Sequence, residues 1–199
     1  RARRDNCRTY RAEAIYAVVA GKWYFEFEVM TDGFMKIGWM DIASSPEQQI
    51  GMDDRSYAFD GYLGRKWHQG PEVYGKEWKI GDVIGCFLDL NDRTISFSLN
   101  GELLLDPSGS EMAFDNVMSG EGLVPAFTLG SGQRGKLNFG QQSNSLKYFT
   151  TCGLQEVKFF IIMKFFKPNF RATSHSVSIC TDQCQFGSPK IWPNLKPSE

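Results

Sequence analysis

The chain has 199 residues, 42% of them hydrophobic and 23% charged, with a formal net charge of −1. That balance fits a folded domain of ordinary size that buries its own core, and it argues against a general nucleic-acid or membrane-surface binder, because phosphate recognition needs a basic face. The five cysteines, Cys7, Cys86, Cys152, Cys180 and Cys184, are loosely spaced and read as reduced thiols rather than a disulfide framework; no apolar secretory core opens the chain, and no run reaches the roughly 18–20 apolar residues of a spanning helix.

Taken from its start, the chain first shows a basic run, Arg1, Arg3, Arg4, Arg8 and Arg11, which reads as a solvated, frayed end. From Ala14 to Gly140 the dominant hydrophobic period is two. Phe25, Phe27 and Val29 alternate with Tyr24, Glu26 and Glu28, the pattern of a half-buried strand. Asp32-Gly33 marks a turn, and Phe34 to Trp39 follows as the partner strand. Val83 to Leu90 is nearly continuous in apolar residues, as expected of a central strand covered on both faces. Asn91-Asp92-Arg93 turns the chain into the alternating strand Thr94–Leu99, Asn100-Gly101 supplies a two-residue hairpin turn, and Glu102 to Leu105 returns. Two later strands are expected at Leu123 to Leu129 and Lys136 to Phe139. With no helical stripe in this stretch, the predicted fold class is all-β, a two-sheet antiparallel β-sandwich.

After Glu156 the character changes. Val157 to Lys167 is apolar with lysines and has no clear period, and the polar remainder holds Pro168, Pro189, Pro193 and Pro197. Residues 157–199 are therefore expected to form a largely unstructured tail that contributes no core, with the domain in 1–156 and its core in about 10–150. Val157-Lys158 can be encoded by a splice-donor-like GTAAAA or GTAAAG, so the tail reads as translated intron, against the alternatives of an isoform tail or a short membrane-touching hook.

A family resemblance rests on landmarks in order: Trp23-Tyr24-Phe25-Glu26-Phe27-Glu28, Lys36-Ile37-Gly38-Trp39, Ser56-Tyr57-Ala58-Phe59-Asp60-Gly61, Gly64-Arg65-Lys66-Trp67-His68, Trp78-Lys79-Ile80-Gly81-Asp82-Val83-Ile84-Gly85-Cys86, Leu88-Asp89-Leu90, Ile95-Ser96-Phe97, Leu99-Asn100-Gly101, Val124-Pro125-Ala126-Phe127 and Leu137-Asn138-Phe139-Gly140. The chain resembles the SPRY domain, an antiparallel sandwich used for protein–protein contacts. Within that family it looks most like the second of three SPRY domains in ryanodine receptors, the calcium-release channels of the sarcoplasmic and endoplasmic reticulum. The insertion Leu103–Glu111 before Met112-Ala113-Phe114 and the run Leu146–Glu156 carry this second likeness. It implies a module of the channel's cytosolic assembly that contacts neighbouring domains or regulatory proteins. The tail departs from that pattern.

Constellations that would carry chemistry are incomplete. His68 lacks partners at ligand spacing, and His175, Cys180 and Cys184 supply three of the four ligands of a zinc site. Asp53, Asp54, Asp60, Asp89 and Asp92 lack a calcium-loop pattern, and Asp60 and Asp82 read as turn residues. No Gly-x-Ser-x-Gly elbow occurs, and Gly130 to Gly135 lacks the ending of a phosphate loop. The expectation is a non-enzymatic module without cofactor or metal, working on protein partners rather than on nucleic acid or by membrane insertion. Its candidate contact residues are Tyr62, Arg65 and Lys66 in the loop after Asp60-Gly61, with Trp23, Trp39 and Trp67 assigned to the core. A lectin-like carbohydrate-binding sandwich and a small hydrolase are the other readings.

Overall fold

The computed structural model describes residues 7–140 and 145–148 and the backbone of Phe165–Phe166. Arg1, Arg3 and Arg4, the remainder of the segment 157–199 and the cluster of His175, Cys180 and Cys184 lie outside the described residues. Among the described residues thirteen strands follow in chain order: β1 Arg8–Ala12, β2 Lys22–Val29, β3 Met35–Asp41, β4 Ser56–Asp60, β5 Arg65–Trp67, β6 Pro71–Val73, β7 Val83–Asp89, β8 Thr94–Leu99, β9 Glu102–Leu103, β10 Met112–Phe114, β11 Leu123–Leu129, β12 Gly135–Asn138 and β13 Phe165–Phe166. They form two sheets, ordered β13-β1-β11-β3-β4-β5-β6 and β10-β8-β7-β2-β12, with β9 attached to β8. The paired strands run antiparallel, as the sequence predicts.

The two sheets meet through the inward set of each alternating strand. Phe25 and Phe27 of β2, Ile84, Cys86 and Leu88 of β7 and Ile95 and Phe97 of β8 face Ile37 and Trp39 of β3, Phe59 of β4 and Phe127 of β11. The facing rings interlock: Phe59 and Phe97 lie 5.6 Å apart between centroids, and the edge of Phe25 meets Trp39 at 5.2 Å. Such aromatic pairs add to the stabilisation from the area they bury. The hairpin of β8 and β9 forms as expected, with Asn100 and Gly101 at φ 52° and 86°. The Asn100 side chain locks it by accepting the Val83 N–H at 2.9 Å and donating to Asp82 at 2.8 Å. β9 is shorter than expected, because Leu104 turns into the core and its carbonyl accepts the Tyr74 hydroxyl at 3.0 Å.

Two features depart from the sequence reading. First, Arg8 and Arg11 are not part of a frayed end. They sit in β1, whose Thr9, Tyr10 and Ala12 are buried, and the Arg11 guanidinium donates to the carbonyls of Asp41, Ile42 and Ser44 at 3.3, 2.6 and 3.1 Å. Buried alternate positions and a charged head satisfied by loop carbonyls turn a basic run into a strand. Second, the outer faces are covered as well. Glu26 is buried on the outer face of β2, where it accepts the Tyr24 hydroxyl at 3.1 Å and the backbone N–H groups of Lys147 and Tyr148 at 2.9 and 2.8 Å. On the other sheet, Ile50 from the β3–β4 loop packs into a small second cluster with Met40, Ala58, Trp67 and Ala126. Trp67 therefore belongs to this outer cluster, while Trp39 sits in the main interior and Trp23 at its margin. Phe165–Phe166, the part of the segment 157–199 that lies among the described residues, pairs antiparallel with the edge of β1, Arg11 opposite Phe166 and Ala12 opposite Phe165.

Phe97 is fully buried and Ser96, one residue away, points to the opposite face. Phe97→Ala is expected to cost about 3–5 kcal/mol in chemical unfolding, because it opens a cavity between the sheets. Ser96→Ala is expected to stay within about 0.5 kcal/mol. Equal losses at the two positions would contradict the register.

Candidate functional site

The candidate contact residues cluster around the turn between β4 and β5, which the fold holds from several sides. At the end of β4 the Asp60 Oδ1 accepts the backbone N–H groups of Tyr62 and Leu63 at 3.1 and 3.3 Å. The Gly61 carbonyl accepts the Trp78 N–H at 2.8 Å, and the Gly64 carbonyl accepts the Tyr74 N–H at 3.1 Å. The Trp78 ring lies where a Gly61 side chain would be, since a Cβ there would stand 2.0 Å from it, so this position admits only glycine without displacing the indole. The turn is thus a fixed platform on a rigid scaffold, the setting in which loop side chains make specific contacts.

The three predicted residues take different parts. Tyr62 projects from the turn with 40% of its surface exposed. Arg65 is exposed at the start of β5, in register between Asp60 and the exposed Val73 of the sheet-edge strand β6. Lys66 points to the other side, where its Nζ donates to the Ala113 carbonyl at 2.7 Å and pairs with Glu72 at 3.2 Å. Its ammonium also lies over the Phe114 ring, 5.6 Å from the centroid, so Lys66 ties β5 to β10 of the opposite sheet.

Beneath the turn lies a group of charges that the sequence reading passed over. Lys36 and Asp60 are both fully buried on the outer face of their sheet, and Lys36 Nζ sits 3.4 Å from the centroid of the Trp67 ring. Burial pushes the Asp60 carboxyl up to about 6, against the opposing pull of the Lys36 charge and of the Leu63 and Tyr62 N–H groups. Asp60 does serve the turn, as its place before Gly61 suggests. What the alternating pattern does not reveal is that its face of the sheet is sealed.

Other sequence candidates are absorbed into packing. His68 stacks on Tyr57 at 4.4 Å and stands 3.0 Å from the Ser56 carbonyl oxygen through Nδ1. Asp53 binds the hydroxyls of Ser44 and Ser56, which closes the β3–β4 loop over the sheet. Asp89 caps the N–H groups of Asn91 and Asp92 and pairs with Lys22 at 3.0 Å. Among the described residues no three His, Cys, Asp or Glu side chains stand together as a metal site, and no helix is long and apolar enough to cross a membrane. The inserted segment before β10 is ordered by Asp106, whose Oδ1 accepts the Ser108 hydroxyl and the N–H groups of Ser108 and Ser110 at 2.6, 2.8 and 2.9 Å.

The different surroundings of Lys66 and Arg65 separate a structural role from an exposed one. Lys66→Ala is expected to destabilise the chain by about 1–2 kcal/mol, because it strips a charged donor from a half-buried carbonyl. Arg65→Ala is expected to stay within about 0.5 kcal/mol. Thermal unfolding of the two variants checks this, and the reverse order would show that Arg65 rather than Lys66 holds the sheets.

Comparison with known proteins accords with this architecture. The family model of the SPRY domain matches residues 22–142. The chain is 38% identical over 131 residues to the E3 ubiquitin-protein ligase RKP of Arabidopsis thaliana, across 65% of this chain and 10% of that protein. It is 29% identical over 137 residues to the ATP-dependent RNA helicase DDX1 of Xenopus laevis, across 68% of this chain and 17% of that protein. The chain thus spans less than a fifth of the length of either relative, and what it shares with them is one domain. A sandwich of two antiparallel sheets carrying the family's landmarks in order, matched by its model over more than half the length, belongs to the SPRY domain family.

Proposed function

We propose that this chain is a non-enzymatic protein–protein contact module from the cytosolic assembly of a ryanodine-receptor-type calcium-release channel, at the reticulum membrane. SPRY membership supports the contact role, and it favours protein partners over the lectin-like reading. The channel assignment rests on the two sequence features outside the common SPRY landmarks, the insertion Leu103–Glu111 and the run Leu146–Glu156. Both begin in segments anchored to the sandwich: the single Tyr74 O–H proton is shared between the carbonyls of Leu104 and Glu111, and Glu26 holds the backbone of Lys147 and Tyr148. The domain boundary is placed at Glu156, with the residues beyond it foreign to the module.

The observation that carries the contact reading is the fixed turn that projects Tyr62 and Arg65 while its own backbone is satisfied from within. An aromatic ring and a guanidinium on a preorganised support are the side chains that anchor interfaces at low entropic cost. Lys66 supports this surface from behind rather than meeting the partner. The test is a pull-down from detergent-solubilised reticulum membranes with the chain as bait. Channel fragments or channel-associated proteins are expected on the wild-type bait, and the double variant Tyr62→Ala, Arg65→Glu is expected to retain about a tenth or less, as loss of interface anchors implies. Undiminished capture by a folded double variant would remove the turn from the contact surface. Capture of no channel component by the wild-type chain would remove the channel assignment.

A further inference from the structure

The inserted segment before β10 stands out from the sandwich. None of the eight residues from Leu105 to Met112 is buried. Its ends are fastened, since the Leu105 carbonyl accepts the Gly75 N–H at 2.8 Å and the Tyr74 hydroxyl reaches the carbonyls of Leu104 and Glu111. Between these anchors the tip folds around one atom. Asp106 Oδ1 accepts the Ser108 O–H and N–H and the Ser110 N–H at 2.6, 2.8 and 2.9 Å, and the Asp106 N–H closes the turn on the Ser110 carbonyl at 2.9 Å. Opening such a tip uncovers no core side chain, so it is a local event of low cost.

The tip also carries a hydroxyl in a marked charge pattern. Two serines or threonines in the whole sequence have an acid three residues on: Ser44, followed by Glu47, and Ser108, followed by Glu111. Ser44 is buried and its hydroxyl is bound by Asp53. Ser108 and Glu111 are both exposed, and Asp106 adds a second acid on the other side of the serine. A serine with acids at such short spacing suits a kinase whose substrate groove is basic, because discrimination there works by paired charge.

We propose that Ser108 is a phosphorylation site for an acidic-directed serine kinase, and that the phosphate opens the 106–110 turn. The Ser108 Oγ attacks the γ-phosphorus of a nucleoside triphosphate. The Oγ–P bond forms, the bond from that phosphorus to the bridging oxygen breaks, the nucleoside diphosphate leaves, and the hydroxyl proton passes to the kinase's base. The product no longer has the O–H that Asp106 accepted, and it carries roughly −1.5 to −2 charge at pH 7. In the unmodified chain the Ser108 hydroxyl and the Ser110 N–H, with a further pull from the Lys66 charge, hold the Asp106 carboxyl below its ordinary value. Asp106 therefore meets the phosphate as an anion, across what was a 2.6 Å hydrogen bond, and the two repel. Lys66 links this event to the contact turn, because its ammonium holds the Ala113 carbonyl two residues beyond Glu111 and its neighbour is Arg65. That consequence rests on the contact role proposed above for Tyr62 and Arg65.

The test uses the full chain with a purified acidic-directed serine kinase of the casein kinase II type and magnesium ATP. Peptide mass spectrometry places the phosphate, and hydrogen exchange reads the turn. Phosphate is expected on Ser108 and not on Ser44. Ser108→Ala is expected to abolish incorporation at this turn, and Glu111→Gln to slow it about tenfold or more, the factor that loss of one charge-assisted contact gives. Exchange across residues 106–111 is expected to quicken about tenfold or more on phosphorylation while β8 and β11 stay slow. Ser108→Ala loses the same O–H donor without adding charge and is expected to quicken it less, which separates repulsion from a lost hydrogen bond. Ser108 left bare by the kinase, incorporation indifferent to Glu111→Gln, or a phosphorylated turn that exchanges no faster than that of Ser108→Ala would each overturn the proposal. If all three hold while the contact surface maps away from Tyr62 and Arg65, only the link to that surface falls.

Discussion

Everything in this chain depends on the interlocking of aromatic side chains between two sheets. Phe25, Phe27, Trp39, Phe59, Phe97 and Phe127 reach the interior from strands distant in sequence. None of these strands can bury its inward face alone. Each takes its register from the need to place a ring every second residue against the opposing sheet. The glycines follow from the same packing: at Gly61 the Trp78 ring occupies the space of a side chain, and this close approach fixes where the β4–β5 turn leaves the sheet. The candidate site is thus a by-product of core packing, a turn made rigid because its neighbours are rigid.

A second layer of constraint lies on the outer faces. A sandwich of alternating strands ordinarily leaves its outer residues to water. Here Glu26 receives the backbone of Lys147 and Tyr148, and Ile50 of the β3–β4 loop packs with Met40 and Trp67 on the sheet face where Lys36 is also buried. Charged residues on these faces are therefore buried, and each must be satisfied or carry a cost. Glu26 meets that demand with backbone donors that anchor the exiting chain. Lys36 meets it with the Trp67 ring and the charge of Asp60. The demand thereby ties the buried outer face of one sheet to the surface that Tyr62 and Arg65 present.

Much of the fold was legible because period two is a strong signal wherever one face is buried. Thr94 to Leu99 alternates without a fault and Asn100-Gly101 admits few conformations besides the tight hairpin, so strand, turn and register were all readable. β1 was hidden because its buried residues, Thr9, Tyr10 and Ala12, are short or polar and are flanked by arginines. β6 was hidden because Pro71-Glu72-Val73 lies exposed at a sheet edge, where no hydrophobic pattern is required. At the site, Tyr62 and Arg65 were singled out as loop side chains; both are exposed, but Arg65 opens β5 rather than lying in the loop. The internal role of Lys66 was not legible, because it depends on Ala113 of β10, 47 residues away, whose approach is tertiary. The burial of Asp60 and Lys36 was illegible for a related reason: alternation tells which residues share a face, and nothing local tells whether a loop will close over it.

The account's central claim is that a sandwich already rigid in isolation meets its partner through the 61–65 turn. Hydrogen exchange followed by mass spectrometry, on the chain alone and bound to its captured partner, tests this most directly. The account predicts slow exchange throughout β2, β3, β7, β8 and β11 in both states, with new protection on binding centred on residues 61–65. Protection confined to the opposite end of the sandwich, around residues 115–122, or strands that become slow only on binding, would contradict it.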